Sequence, residues 1–403
     1  MTVRQFTEKA GPGPHQPLPT SSKNDQETIV RILFTGPAAP SHLFPMVPTA
    51  QALRAAGHEI LFASPKPMDQ LRAAGFPIAE IGDGRPLREA FAEATGDTRY
   101  SRPDLDQDEI LDLAAVAFAY ASRSTVDDLL AVADAWEPDL LVHDSCLASA
   151  QLVAAKLKIP AALQNFGFTS GLDLAARLAT HFTDVYEAHG VAGPADTTPL
   201  DIVPASLGGD GGGLRMRYLP YNGGGVVPGD LLRRGTRPRV AVTLGTVVAD
   251  MDGVHAITRL IESAASVDAE FLLAVGGADL THLGPLPANV RPLPWVPLAE
   301  LLRVCDAAVH HGGSGSTLTA LQAGLPQLLL PQGADNFAVA DILTASGAAL
   351  RSASDDVDTP LLTRLVTDPA LRDAAARLRA DNDALPTPAA LVPAIEALAT
   401  GPR

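Results

Sequence analysis

Cysteine is nearly absent: the 403 residues hold two, Cys146 and Cys305, far apart and in neither CxxC nor CxxH spacing. A disulfide framework and a thiolate zinc site are therefore not expected, and a reducing cytoplasm is the compartment that fits. Positive charge is in deficit too, with 30 Lys and Arg against 46 Asp and Glu and a formal net charge of -16. Such a surface repels nucleic acid and anionic membrane, so neither is an expected partner, although a local pocket can still hold phosphate. No segment reaches the roughly 18 consecutive apolar residues of a membrane span, so stable membrane insertion is not expected. The first 28 residues are polar and rich in Pro and Gly, lack the apolar centre of a signal peptide, and read as a flexible extension.

What is present points to a globular chain of two domains. Hydrophobic residues make up 46% and charged residues 19%, and the length suits two cores. From residue 29 onward, short apolar runs such as IVRILF, EILFAS and DLLVH alternate with stretches of helical period such as VPTAQALRAAG and CLASAQLVAAKLKI. A long helical stretch runs from Ile110 to Trp136. Strands alternating with helices imply crossover connections and a parallel sheet, hence an α/β, Rossmann-like unit. The rhythm breaks in the glycine-dense stretch 204–237 and restarts at RVAVTL. The expected division is a first domain over residues 29–203, a linker over 204–237 without regular elements, and a second Rossmann-like domain over 238–386. Residues 387–403 are expected to form a helix returning to the first domain.

The segment DAAVHHGGSGSTLTALQAG, starting at Asp306, carries the strongest chemical signal. A strand ends at two histidines, and a glycine-rich turn opens a helix, aiming backbone N–H groups and the helix dipole at one point. A diphosphate suits that point. Gly312, Gly313 and Gly315 allow close backbone approach, and Ser314, Ser316 and Thr317 carry hydroxyls. No GxxxxGK[ST] occurs and the third glycine of a dinucleotide fingerprint is missing, which disfavours a P-loop and an NAD site. Trp295 ends a short strand where an indole face can cover a base. Thr243 and Thr246, in VTLGT, follow the first strand of the second domain, where ligands of open α/β sheets collect, and Thr246 is the expected phosphate or sugar contact.

The ordered set MRYLPYNGGGVVP, VTLGT, WVPLAELL, HHGGSGST and AGLPQLLLPQGADNF resembles the GT-B nucleotide-sugar glycosyltransferases, particularly actinobacterial enzymes that decorate antibiotics with TDP-activated sugars. The resemblance covers about residues 30 to 400. It implies a GT-B architecture, two Rossmann-like domains facing across a cleft, and a TDP-sugar co-substrate, with UDP-sugar as the alternative, needing neither cofactor nor metal. It assigns the donor pyrophosphate to His311, Gly313, Ser316 and Thr317, the base to Trp295 and the Val296 backbone, and sugar hydroxyls to Asp335 and Asn336. Where the family shows Gln after that Asp, this chain has Asn336, shorter by one methylene.

Transfer to a hydroxyl needs a proton acceptor, and histidine titrates in the useful range. His42 lies in the loop after the first strand, three residues before Pro45. Asp144 ends the strand DLLVH and offers an orienting carboxylate, with capping of the following helix as its plainer role. The resemblance makes His42 the catalytic base and Asp144 its partner, and implies an inverting displacement onto a hydrophobic aglycone such as an aromatic polyketide, enediyne or macrolide. Phe91, Phe118, Tyr120, Phe166, Phe168 and Phe182 are expected around that aglycone. An aromatic carbon as acceptor, a nucleotide-sugar epimerase, and a non-catalytic auxiliary binder stay open as alternatives, as does a homodimer.

Overall fold

The computed structural model describes residues 29–66, 68–96, 105–243, 258–274, 284–333 and 335–401. Two parallel sheets organise the chain. The first comprises β1 (Arg31–Thr35), β2 (Glu59–Ser64), β3 (Ile78–Glu80), β4 (Leu140–His143), β5 (Ala161–Gln164), β6 (Thr197–Asp201) and β7 (Leu214–Arg215). The second comprises β8 (Arg239–Thr243), β9 (Glu270–Leu273), β10 (Val290–Pro292), β11 (Ala307–His310), β12 (Gln327–Leu329) and β13 (Ala349–Arg351). The spatial orders are 3-2-1-4-5-6-7 and 10-9-8-11-12-13. Central strands are covered by helices on both faces and are buried along their whole length, which is why LLVH and AAVH are continuous apolar runs before their terminal histidines.

In each sheet the order reverses beside the first strand, between β1 and β4 and between β8 and β11. Ligands of open α/β sheets bind outside the carboxyl ends of the strands at that reversal. His42 and Asp144 follow β1 and β4, and His311 follows β11, so the residues singled out for chemistry stand at the two reversal points. The architecture is GT-B: two Rossmann-like domains enclosing a cleft.

The elements differ from expectation in four places, one being that Trp295 does not end a strand, because β10 stops at Pro292. The stretch from Ile110 to Trp136 is two helices, Gln107–Ser122 and Val126–Trp136, separated by a 3-10 turn at Arg123–Thr125. The glycine-dense stretch expected to hold no regular element contains β7, which pairs with β6 and completes the first sheet. Strand β6 itself was masked by Pro199, a residue that argues against a strand.

The last helix, Pro388–Thr400, places Val392, Ile395 and Ala399 in the same apolar core as Val47, Ala50 and Leu53 of the first domain. Glu396 on this helix meets His58 Nε2 at 2.7 Å, and His58 Nδ1 accepts from the Val30 N–H at 3.3 Å. The domains also share an apolar cluster, in which Phe168, Ile202 and Val203 pack with Leu318, Leu321 and Val339. The Tyr218 hydroxyl adds a bond across to Thr319 Oγ1 at 3.1 Å. No helix among the described residues is long and apolar enough to cross a membrane.

Candidate active site

The loop leaving β1 enters a four-residue helical turn, Pro40–Leu43, whose first residue is proline and which carries His42. Asp144 directly follows β4 and is fully buried. His42 Nδ1 stands 3.2 Å from both carboxylate oxygens of Asp144, and Oδ1 also accepts the Cys146 backbone N–H at 2.7 Å. A carboxylate can only accept, so in the neutral imidazole Nδ1 carries the proton and Nε2 presents its lone pair. Phe166 lies over the imidazole at 4.1 Å between ring centroids and Phe118 flanks it at 5.6 Å. Such enclosure fixes the ring plane. Capping is not the role of Asp144, because the next helix starts at Ala148 after Leu147 and has no side-chain cap.

His42, Asp144 and Cys146 bring potential metal-ligand atoms within 4.8 Å of one another. Burial, reinforced by the Asp144 charge, holds the Cys146 thiol well above its ordinary value. The thiolate is the ligating form, so the cluster is better described as a hydrogen-bonded dyad with a neutral thiol beside it.

On the opposite domain, His310 ends β11 with Nε2 at 2.8 Å from Gln327 Oε1 and Nδ1 accepting the Gly312 N–H at 3.1 Å. Burial pushes its pKa down to about 4, so it is a neutral structural residue. His311 is pushed down to about 3 by burial and by the adjacent His310. It therefore offers a neutral N–H, and its buried Nδ1 has no hydrogen-bond partner among the described residues. Gly313 passes beneath this ring so closely that a Cβ there would lie 2.4 Å from His311 Nε2. Gly312 has φ +92, a left-handed conformation that favours glycine.

The helix Ser314–Ala323 starts at this turn. Its hydroxyls are not equivalent. Thr317 is fully buried and donates to the Gly313 carbonyl at 3.0 Å, while Ser314 donates to Asp335 Oδ2 at 3.1 Å. Ser316 is half-buried and makes no side-chain hydrogen bond among the described residues. An anion at this turn would meet Ser316, the backbone N–H groups and His311 rather than the Thr317 hydroxyl.

Trp295 is 49% exposed, with its indole N–H donating to the Gly224 carbonyl at 3.3 Å, so it is not a core residue between the domains. Val296 is buried in the cluster of Leu231 and Leu301. Asp335 precedes the helix Asn336–Ala345 without capping it through its side chain. Burial raises its carboxyl above the ordinary range, while the Ser314 hydrogen bond and the nearby His42 draw it back. Asn336 braces this corner, with Nδ2 at 3.4 Å from Asp335 Oδ1 and its carbonyl against Gly312. Thr246 lies outside the described residues.

A cavity beside the dyad is lined by Phe118, Tyr120, Arg85, Arg123, Cys146 and Leu147, among others. Of the aromatic side chains expected around an aglycone, Phe118 and Tyr120 line it, Phe91 stands edge-on to Phe118 at 4.9 Å, and Phe166 covers His42. Two expectations are corrected. Phe182 is fully buried in the helical core, edge-on to Tyr186 at 5.8 Å, and Phe168 belongs to the apolar cluster joining the domains. Arg85, Arg123 and Cys146 were missed. The position of Cys146 two residues after Asp144 was the available signal, whereas Arg85 and Arg123 are brought to the cavity by tertiary packing.

Comparison with known proteins follows the same outline. Two models of the erythromycin biosynthesis protein CIII-like family match, the N-terminal domain over residues 51–245 and the C-terminal domain over residues 258–398. The elloramycin glycosyltransferase of Streptomyces olivaceus is 38% identical over 371 residues, spanning 89% of this chain and 95% of that protein. Among solved structures, the glycosyltransferase SnogD from Streptomyces nogalater superposes with TM-score 0.82 at 36% identity, covering 92% of this chain and all of that one (100%). A spinosyn rhamnosyltransferase complexed with thymidine diphosphate gives TM-score 0.78 at 30% identity, covering 91% of this chain and 100% of that chain.

Proposed function

From the premise that this chain belongs to the erythromycin biosynthesis protein CIII-like family and is a glycosyltransferase, we propose that it moves a deoxysugar from a TDP-sugar onto a hydroxyl of a hydrophobic polyketide aglycone, using His42 as base. The observation that carries this reading is the His42–Asp144 dyad at one sheet reversal, set opposite the His311 turn at the other.

The acceptor hydroxyl gives its proton to His42 Nε2, and Asp144 stabilises the imidazolium that forms. The hydroxyl oxygen bonds to the anomeric carbon as that carbon's bond to the diphosphate oxygen breaks. The departing diphosphate takes the negative charge, which the His311 N–H, Ser316 and the N-terminus of the helix Ser314–Ala323 are placed to stabilise. Direct attack from the face opposite the leaving group inverts the anomeric centre. Trp295 presents its open indole face to the thymine, and Asp335 accepts from sugar hydroxyls. Phe118 and Tyr120 supply apolar surface to the aglycone.

Replacing His42 by Ala tests the assignment. Transfer falls by at least about 100-fold, the usual scale for a lost general base, while thymidine diphosphate binding is retained. Unchanged transfer removes His42 from the mechanism.

A further inference from the structure

Gly167 of the first domain stands directly against Ser314 of the second. A Cβ built on Gly167 would lie 2.2 Å from Ser314 Oγ and 2.5 Å from Ser314 Cβ, across the cleft. The Gly167 backbone has no left-handed φ, so conformational freedom does not account for glycine here; space does. The loop that carries it is held firmly. Asn165, fully buried, accepts the Phe166 N–H at 2.9 Å and the Gly167 N–H at 3.4 Å, and its amide donates back to the Gly167 carbonyl at 2.9 Å.

The contact sits between the two reacting halves. Phe166, one residue before Gly167, is the ring packed at a tilt against His42. Ser314, the first residue of the diphosphate-facing helix, bonds Asp335. A continuous chain therefore runs from the base through Phe166 and Gly167 to Ser314 and Asp335. We propose that Gly167 and Ser314 are positioning residues: their contact is the stop that sets how far the domains close, and through Phe166 it sets where His42 stands relative to the sugar. The proposal rests on the glycosyltransferase reading of the site given above.

Adding one methyl group at Gly167 pushes the domains apart. Carbon atoms pack at roughly 3.5 to 4.0 Å, so the 2.5 Å approach to Ser314 Cβ must open by at least about 1 Å in the Gly167→Ala variant. An error of about 1 Å in reactant placement costs on the order of 100-fold in rate.

The test combines Gly167→Ala, Ser314→Gly and the double variant. Gly193→Ala serves as control, because a Cβ there meets nothing within 4 Å. Both native cysteines are buried, so spin labels can be placed on cysteines introduced at exposed Ala55 and Thr344. With saturating thymidine diphosphate, Gly167→Ala is expected to lengthen the inter-label distance and to lower kcat about 100-fold, with KM for the acceptor changing much less. The double variant is expected to return to the distance and kcat of Ser314→Gly alone, because the colliding atoms are gone. Thermal melts of each variant separate this effect from loss of folding.

An unchanged distance in folded Gly167→Ala, or a defect that Ser314→Gly leaves uncorrected, overturns the proposal. Should His42→Ala keep full transfer while Gly167→Ala still widens the cleft and the double variant closes it, the base assignment fails and the closure stop stands.

Discussion

Replacing Asp144 by Asn should disable the enzyme without disturbing its shape, for a reason visible in three distances. Oδ1 of Asp144 accepts the Cys146 N–H at 2.7 Å, and both oxygens face His42 Nδ1 at 3.2 Å. An asparagine must keep its carbonyl oxygen toward Cys146, because the reverse orientation sets an amide donor against a backbone donor in a fully buried place. The NH2 group then takes the place of Oδ2 at 3.2 Å from Nδ1 and favours an accepting Nδ1 over one that donates to the Oδ1 already shared with the Cys146 N–H. The imidazole changes tautomer, Nε2 carries the proton, and it can no longer take one from an acceptor hydroxyl. A comparable tautomer reversal in a serine protease costs about 10^4 in kcat. The expected loss here is roughly 10^3 to 10^4, equivalent to about 4 to 5 kcal/mol of transition-state stabilisation. Steady-state measurement of nucleoside diphosphate release with acceptor present gives kcat, and titration calorimetry with thymidine diphosphate gives donor affinity. The donor affinity should hold, since Asp144 lies in the acceptor domain. An Asp144→Asn variant that transfers within about threefold of wild type would refute the tautomer argument.

Three further outcomes follow. Trp295→Ala should weaken thymidine diphosphate binding by roughly 1 to 3 kcal/mol, the scale of base stacking on an aromatic ring, with little change in Tm because the indole is half exposed; calorimetry reads both. Phe182→Ala should cost about 3 to 5 kcal/mol of stability in urea melts, and the acceptor KM of the folded variant should match wild type. Asp201, fully buried, is pushed up by burial to about 6 from an ordinary 3.8. The folded state therefore favours its protonated form: the stability this gives is complete below the unfolded value and is lost as pH rises through about 6. Asp201→Asn removes that loss, so the variant should gain roughly 1 kcal/mol relative to wild type between pH 5 and pH 7.5. Urea melts at the two pH values measure the difference, and a constant gap contradicts the assignment.

Legibility in the sequence followed the range of the interactions. Strands buried on both faces announce themselves as unbroken apolar runs, so EILFAS and LLVH could be bounded nearly to the residue. His42 and Asp144 were findable because the carboxyl ends of β1 and β4 are the reversal point of the sheet, and HHGGSGST because a strand, a glycine turn and a helix are contiguous. Where neighbours are distant in sequence, local pattern failed. Phe118 and Phe182 are equally apolar and share one helical cluster, and only tertiary packing leaves Phe118 on the cavity wall while Phe182 is fully enclosed. Strand β7 has two residues and exists only by pairing with β6. Ser314 and Thr317 read alike as phosphate donors, yet their hydroxyls serve Asp335 and the Gly313 carbonyl. Gly167 carries no local signature, since the atom that forbids a side chain there belongs to the other domain.

The central claim is transfer of a sugar from a thymidine diphosphate donor with inversion, and stoichiometry with anomeric configuration tests it most directly. The protein is incubated with a series of TDP-deoxysugars and polyketide aglycones, thymidine diphosphate and glycoside are quantified together, and the anomeric proton of the product is read by NMR. The account predicts one thymidine diphosphate released per glycoside formed, with the anomeric configuration opposite to that of the donor. Retained configuration, or release of an isomerised sugar with no glycoside at all, would contradict it.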